Sequence, residues 1–403
     1  MVALKKKLII IGGGAAGFFT AINVMMLNAD FEVIILEQGK EVLNKVKISG
    51  GGRCNVTNVC IDPEQIVKNY PRGNRELLGP FHRFNTQDTV AWFENQGVKL
   101  KAESDGRMFP VSDDSMDIVN CLIRLTKKYS IKVITSTKVI GFSQINKGWL
   151  IKTNTQTLSS DFVMLASGSS KLVWDLLSNL GIGLISPVPS LFTFHCKDTR
   201  FRDLSGISVD SVSIKIIGTD IKTSGPLLIT HQGISGPAVL KASAWGALEL
   251  AQMDYKFTIA IDWLPDLDEK TFLQMTIEHA RKKILPRNPF IANRLWEQLL
   301  NTFISENLTY AEAGKKKLAQ IYETLKNSAF TITGKSTFKE EFVTAGGVDL
   351  QEVDFKGFFL KKITNIYLAG EVLNIDGVTG GFNFQAAWTG AFLAAEHLAY
   401  RDE

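Results

Sequence analysis

Cysteine is scarce in this chain, and the little there is does not pair. Cys54, Cys60, Cys121 and Cys196 form no C-x-x-C, and no Cys/His group has zinc-site spacing. A disulfide scaffold and a structural zinc site are both excluded, and reduced thiols point to a cytoplasmic setting. Charge imbalance is also lacking: 45 basic residues oppose 41 acidic ones, a net +4. So small an excess argues against nucleic acid as a partner. The runs Lys5–Lys7 and Lys315–Lys317 read as solvated ends of a strand and a helix. No apolar run is long enough to span a bilayer. The N-terminal lysines and the apolar residues after them imitate a signal peptide, but glycines interrupt that stretch at its centre. Internal repeats and low-complexity segments are absent too. What is present is ordinary globular composition, 45% hydrophobic over 403 residues. That is enough for a sizeable core and long enough for two or three domains.

One stretch organises the rest. Leu8 to Glu37 reads LIIIGGGAAGFFTAINVMMLNADFEVIILE. Leu8 to Ile11 is a short β-branched run suited to a buried parallel strand. Gly12, Gly14 and Gly17 follow with G-x-G-x-x-G spacing, Ala15 and Ala16 open a helix running to about Asn28, and Glu32 to Leu36 forms a second strand. Gly12 permits the tight turn, Gly14 leaves bare backbone for a pyrophosphate, and Gly17 lets the helix approach the sheet. The helix N-terminus offers free N–H groups to phosphate. Glu37, with Gln38 beside it, stands where a ribose hydroxyl needs an acceptor and where a 2′-phosphate would be repelled. Together these parts predict a dinucleotide site.

Further along, Lys45 precedes the run Ser49, Gly50, Gly51, Gly52, Arg53, Cys54, Asn55. Three glycines between a serine and an arginine suggest backbone passing close to something bulky. Arg53 is placed to meet a phosphate, and Cys54 reads either as a buried structural residue or as a thiolate stabilised by Arg53. Lys45 with SGGGRCN resembles the signature of a bacterial FAD-dependent oxidoreductase family of the YhiN and BaiN type, which includes aminoacetone oxidase. The resemblance continues at Gly225–Pro237 (GPLLITHQGISGP), Val343–Val348 (VTAGGV) and Gly370–Asn383 (GEVLNIDGVTGGFN), and so covers nearly the whole chain. It implies non-covalent FAD held by these segments, including Gly370, Glu371, Gly380, Gly381, Phe382 and Asn383, with Gly168 ending a strand beside the cofactor. It also brings Asp105–Pro110, with Arg107, near the cofactor. The chain departs from the family in two places. Val353 to Lys362 reads VDFKGFFLKK where a Thr-Met-Glu-Ser-Lys segment is usual, and Asn374 replaces an aspartate.

The expected fold is α/β: a Rossmann-like FAD-binding domain of the two-dinucleotide-binding flavoprotein type, with an inserted β-rich plus helical unit. Apolar runs at 8–11, 32–36, 162–166 and 365–369 are expected to share one sheet. Segments 131–135, 137–144 and 149–153 alternate like a small antiparallel meander. Pro187 and Pro189 mark the departure of the insertion. Residues 1–190 and 331–403 are assigned to the FAD-binding domain, 191–265 to a barrel-like β-rich part and 266–330 to a helical part. Gly225 to Pro237, glycine-rich and unlike a core strand, is expected to face the flavin, with His231 as general acid or base. Only one dinucleotide fingerprint is present, so NAD(P)H, if it is the reductant, binds transiently. The expected function is FAD-dependent oxidation or reduction of a small organic substrate by hydride transfer. The alternatives are a flavin redox sensor or interaction protein, and an FAD-dependent RNA-modifying enzyme, the last opposed by the charge balance.

Overall fold

The computed structural model describes residues 5–285, 288–336 and 343–401. The chain divides into two compact units, Met1–Val188 with Lys339–Glu403, and Pro189–Phe338.

In the first unit the strand Lys6–Ile11 runs parallel to Phe31–Leu36 on one side and Phe162–Leu165 on the other. Ile366–Leu368 and Lys132–Ile134 extend the sheet outward, again parallel. Leu8, Ile9 and Ile10 are fully buried, as is Leu165. Continuous apolar strands of this kind occur where both faces of a sheet are covered. The fingerprint helix Ala15–Leu27 packs on the C-terminal helix Phe382–Tyr400, whose Ala391, Ala394 and Ala395 allow close approach. The divergent segment 353–362 supplies a hairpin, Val353–Asp354 with Phe359–Leu360, on the sheet edge beside Ile366–Leu368.

One expected grouping is corrected here. The antiparallel meander exists, but it is built from Val139–Ile145, Gly148–Thr153 and Thr157–Ser160. Residues 132–134 instead align with Ile34 to Leu36 at the edge of the parallel sheet. A short, half-exposed parallel edge strand shows the same alternation as a hairpin strand, so the pattern alone does not separate them.

The second unit is a seven-stranded sheet whose outermost strands are Ser328–Ile332 and Gly334–Ser336. Only Thr333 separates them in sequence, so the sheet curls back on itself as a barrel does. The chain re-enters the first unit only after residue 338. Helices Glu269–Glu278, Asn293–Leu300 and Tyr310–Lys326 share one apolar core with these strands, centred on Trp263, Trp296, Phe330 and Leu325. Gly225 to Thr230 is a second correction. It lies within the strand Lys222–Thr230, with Leu227 and Ile229 fully buried. The glycine content masked an ordinary alternation of buried and exposed positions. Among the described residues no helix is long and apolar enough to cross a membrane.

Candidate cofactor and active site

The site is built where the parallel strands end. Gly12 has φ +114°, and a Cβ there would lie 2.3 Å from Ala166 O. A Cβ on Gly17 would lie 2.1 Å from Gly12 O. These two glycines are required by the protein's own packing. Gly14 is different: its φ of −93° suits any residue, and a Cβ there would meet no atom within 4 Å. Nothing inside the chain demands glycine at this position, which fits a pyrophosphate lying against bare backbone. Ala15 and Ala16 begin the helix, which has no side-chain cap and no acid in its first turn. The uncapped helix therefore keeps its positive end for an anion.

Glu37 grips the turn. Its carboxylate accepts from Gly13 N at 2.8 Å and from Gly39 N at 2.6 Å. Each oxygen keeps a lone pair for a ribose hydroxyl. A cleft beside it is lined by Gly12, Glu37, Gln38, Thr137, Val139 and Ser167. The Ser167 hydroxyl is buried without a partner, a polar group that a nucleotide in the cleft would satisfy. Gly168 follows at φ +57°, with Glu371 Oε2 3.6 Å from where its Cβ would be.

The second wall comes from Lys45 to Asn58. The helix Asn44–Gly52 breaks at Ser49, and Gly50, Gly51 and Gly52 all take positive φ. A Cβ on Gly51 or Gly52 would meet nothing. Lys45 Nζ reaches Glu371 Oε2 at 2.5 Å. Asn55, with its amide turned to satisfy both neighbours, donates to Thr57 O at 3.0 Å and accepts from Gly381 N at 2.9 Å. Asn58 Nδ2 donates to Gly380 O at 3.0 Å. The triple-glycine segment and the turn before the C-terminal helix are thus pinned together.

That turn is itself locked. Asn383 accepts from Gly377 N and donates to Gly377 O, both at 2.9 Å. Gly381 caps the helix at φ +89°, and Phe382 and Asn383 begin it with no acid in the first turn. Gly370 has φ +77°, and its Cβ would sit 3.4 Å from Ala16 Cβ. The departure at Asn374 is accommodated, since its amide oxygen accepts from Gly346 N at 3.0 Å, a bond that needs no charge.

Arg53 and Cys54 have internal partners. Arg53 pairs with Glu103 at 2.6 Å and lies 4.1 Å over the Phe109 ring. Arg107 pairs with Glu103 at 2.9 Å and with Asp105 at 2.7 Å. Cys54 is fully buried, and desolvation pushes its thiol up to about 12. A thiolate there is strongly disfavoured. His231 lies in the second unit, exposed in the turn between Lys222–Thr230 and Gly233–Ser235. Sequence reasoning missed Ser167 and the pair Arg72–Asp376. The Asp376 side chain is wholly buried in the Gly370–Asn383 loop and paired to Arg72 in fork geometry. Asp376 lies in a quoted motif, but Arg72 carries no local signal.

These features fit a flavin dinucleotide, and comparisons agree. A ribosomal RNA dihydrouridine synthase of Escherichia coli (strain K12) is 27% identical over 406 residues, 97% of each chain. A 3-dehydro-bile acid delta(4,6)-reductase of Clostridium scindens is 28% identical over 411 residues, 97% of this chain and 98% of its own. In fold, the chain is similar to a 3-ketosteroid-delta4-(5alpha)-dehydrogenase of Rhodococcus jostii RHA1, with TM-score 0.52 at 11% identity over 98% of both chains. The model of the HI0933-like protein Rossmann domain matches residues 6–397; the chain belongs to that family and is an FAD-dependent oxidoreductase.

Proposed function

We propose that this enzyme is a reductase of carbon–carbon double bonds conjugated to a carbonyl. The observation that carries the reading is the shared chemistry of relatives that match the chain end to end. A dihydrouridine synthase and a 3-dehydro-bile acid delta(4,6)-reductase are both named for saturating an alkene polarised by a neighbouring C=O. Bound non-covalently, FAD supplies the hydride once reduced, with NAD(P)H as the transient two-electron donor. The hydride adds to the carbon β to the carbonyl, and a proton adds at the α carbon.

The chain's residues have assignable parts. Gly12–Gly17 and the uncapped helix behind them hold the pyrophosphate. Glu37, Gln38 and Ser167 hold the adenosine end. The locked turn Gly377–Asn383 aims the N-terminus of the C-terminal helix at the ring, where its dipole favours negative charge. His231, exposed in a turn of the second unit, is the candidate proton donor. Four free cysteines suit a reducing cytoplasm.

The test is anaerobic. The yellow protein is bleached with NADH or NADPH, then offered cyclohexenone, a saturated ketone, an amine and a uridine-containing RNA. Reoxidation by an enone or by uridine, but not by the saturated ketone, supports the reading. Reoxidation by oxygen alone overturns it. His231→Ala is expected to slow turnover with flavin content intact.

A further inference from the structure

In the second unit a groove opens where two paired strands part. Ser208–Ile216 and Phe257–Asp262 run antiparallel as far as Ser213 with Asp262. Past that point Trp263 N donates instead to Leu325 O at 2.8 Å. On its other side, the register of Ser208–Ile216 against Lys222–Thr230 shifts between Val209 and Val212. The groove is lined by residues 208–211, 263–267 and 288–292 and encloses about 600 Å³. Small-molecule sites span roughly 300–1,000 Å³. All three lining segments belong to the second unit.

The walls are held in place. Asn288 Oδ1 accepts from Phe290 N at 2.7 Å and from Ile291 N at 2.8 Å. Lys326 Nζ donates to Leu264 O at 2.7 Å and pairs with Asp262 at 2.8 Å. Phe201 and Phe330 pack edge-on against the Trp263 ring. Trp263 lines the groove and is wholly buried, yet its indole N–H has no hydrogen-bond partner. Burial has stripped this donor of water without replacing it, and a ligand oxygen that accepts from it would remove that cost.

Charge narrows the ligand further. Asp210 and Asp266 are exposed at the groove, and among the described residues neither joins an ion pair. Of the nearby cations, Lys326 is engaged by Asp262, and Arg294 donates to Asp203 O. Two uncommitted carboxylates repel anions and favour a cation. Among the described residues no group of three or more His, Cys, Asp or Glu side chains could hold a metal ion, so an organic cation fits better. Leu264, Phe290 and Ile291 supply apolar surface for its body.

We propose that this groove binds a small organic amine. Its ammonium lies at Asp210 and Asp266, its apolar body rests on Leu264 and Phe290, and an oxygen on it accepts from the Trp263 indole N–H. The site lies wholly within the second unit and needs nothing from the flavin or from the enzyme's substrate.

The test uses full-length flavoprotein and three probes, followed by calorimetry and saturation-transfer NMR at low salt. Tyramine carries the ammonium, the ring and a phenolic oxygen; 4-ethylphenol lacks the ammonium, and phenethylamine lacks the oxygen. Tyramine is expected to bind about tenfold more tightly than 4-ethylphenol and about fivefold more tightly than phenethylamine, as one charged and one neutral hydrogen bond imply. Asp210→Asn with Asp266→Asn should erase the first advantage, and Trp263→Phe the second. Flavin content and melting temperature check that each variant is folded. Because both aspartates are exposed, the double variant reads the charge even where Trp263→Phe is unstable. No binding of tyramine, equal binding of tyramine and 4-ethylphenol, or undiminished binding by the aspartate variant each overturns the proposal. Binding of a lysine-rich peptide without tyramine would put a protein segment in the groove and overturn it as well.

Discussion

The three fingerprint glycines serve different masters. Gly12 and Gly17 are fixed from within, by carbonyl oxygens 2.3 Å and 2.1 Å from their absent Cβ atoms. Gly14 faces open space at an unstrained φ. Gly14→Val should therefore carry no flavin yet melt like flavin-stripped wild type, whereas Gly17→Val should melt below it. Flavin absorbance and thermal melts of the two purified variants read both quantities, and a Gly14→Val protein with full flavin content would refute the pyrophosphate placement. Cysteine chemistry gives a second residue-level expectation. Iodoacetamide at pH 8 should modify Cys60, which is only partly buried, before the fully buried Cys54, whose thiol sits near 12. Peptide mass spectrometry would show Cys54 protected until denaturant is added. The glycines and Glu37 were legible in the sequence because their spacing is set by one local turn. Ser167 was not, because a serine at a strand end acquires meaning only when strands distant in sequence converge.

At the level of elements, the loop before the C-terminal helix depends on a wholly buried carboxylate. Asp376→Ala leaves the Arg72 guanidinium, itself only 11% exposed, without its partner. Breaking such a pair costs about 3–5 kcal/mol, and denaturant melts should show that loss together with weaker flavin retention. The far end of the same helix carries a pH effect. His397 contacts the Tyr367 hydroxyl at 3.0 Å and packs on Phe359. Burial lowers its pKa, helped by the charges of Arg401 and Arg83 and opposed by Asp354. The unfolded chain then takes up the proton first as pH falls. This contribution is intact above about pH 6.5 and is lost as pH drops towards the folded value. Urea melts from pH 7.5 to 5 should show a decline that is flatter in His397→Gln; equal slopes would exclude His397 as a source. Long apolar strands and helices were readable from periodicity. Residues 132–134 and 222–230 were not, because a parallel edge strand imitates a hairpin and a glycine-rich strand imitates a loop.

Across the whole molecule, the fingerprint, the triple-glycine segment and the C-terminal turn belong to one unit, although they span residues 12 to 383. The fingerprint and the C-terminal turn were legible together because each follows a strand expected in the same sheet, whereas the triple-glycine segment, which ends a helix, was joined to them by the family resemblance alone. The meeting of Lys283 with Thr309 was not legible, since it joins segments on either side of an intervening helix. The second unit, Pro189–Phe338, has a core of its own built around Trp263, Trp296 and Phe330. Because the residues that fit the dinucleotide lie in the first unit, stripping the flavin should destabilise that unit and leave the second almost untouched. Restoring FAD at a hundred times its dissociation constant should return about 2.7 kcal/mol. For a unit of this size that is a shift of about 5–10 °C. Calorimetry of stripped and reloaded protein should show one transition moving by that amount. Hydrogen exchange at Phe257–Asp262, a central strand of the second sheet, should stay constant between the two forms. If the exchange of that strand rises with flavin loss, the two units unfold as one cooperative body, and the second unit's core does not by itself sustain its fold.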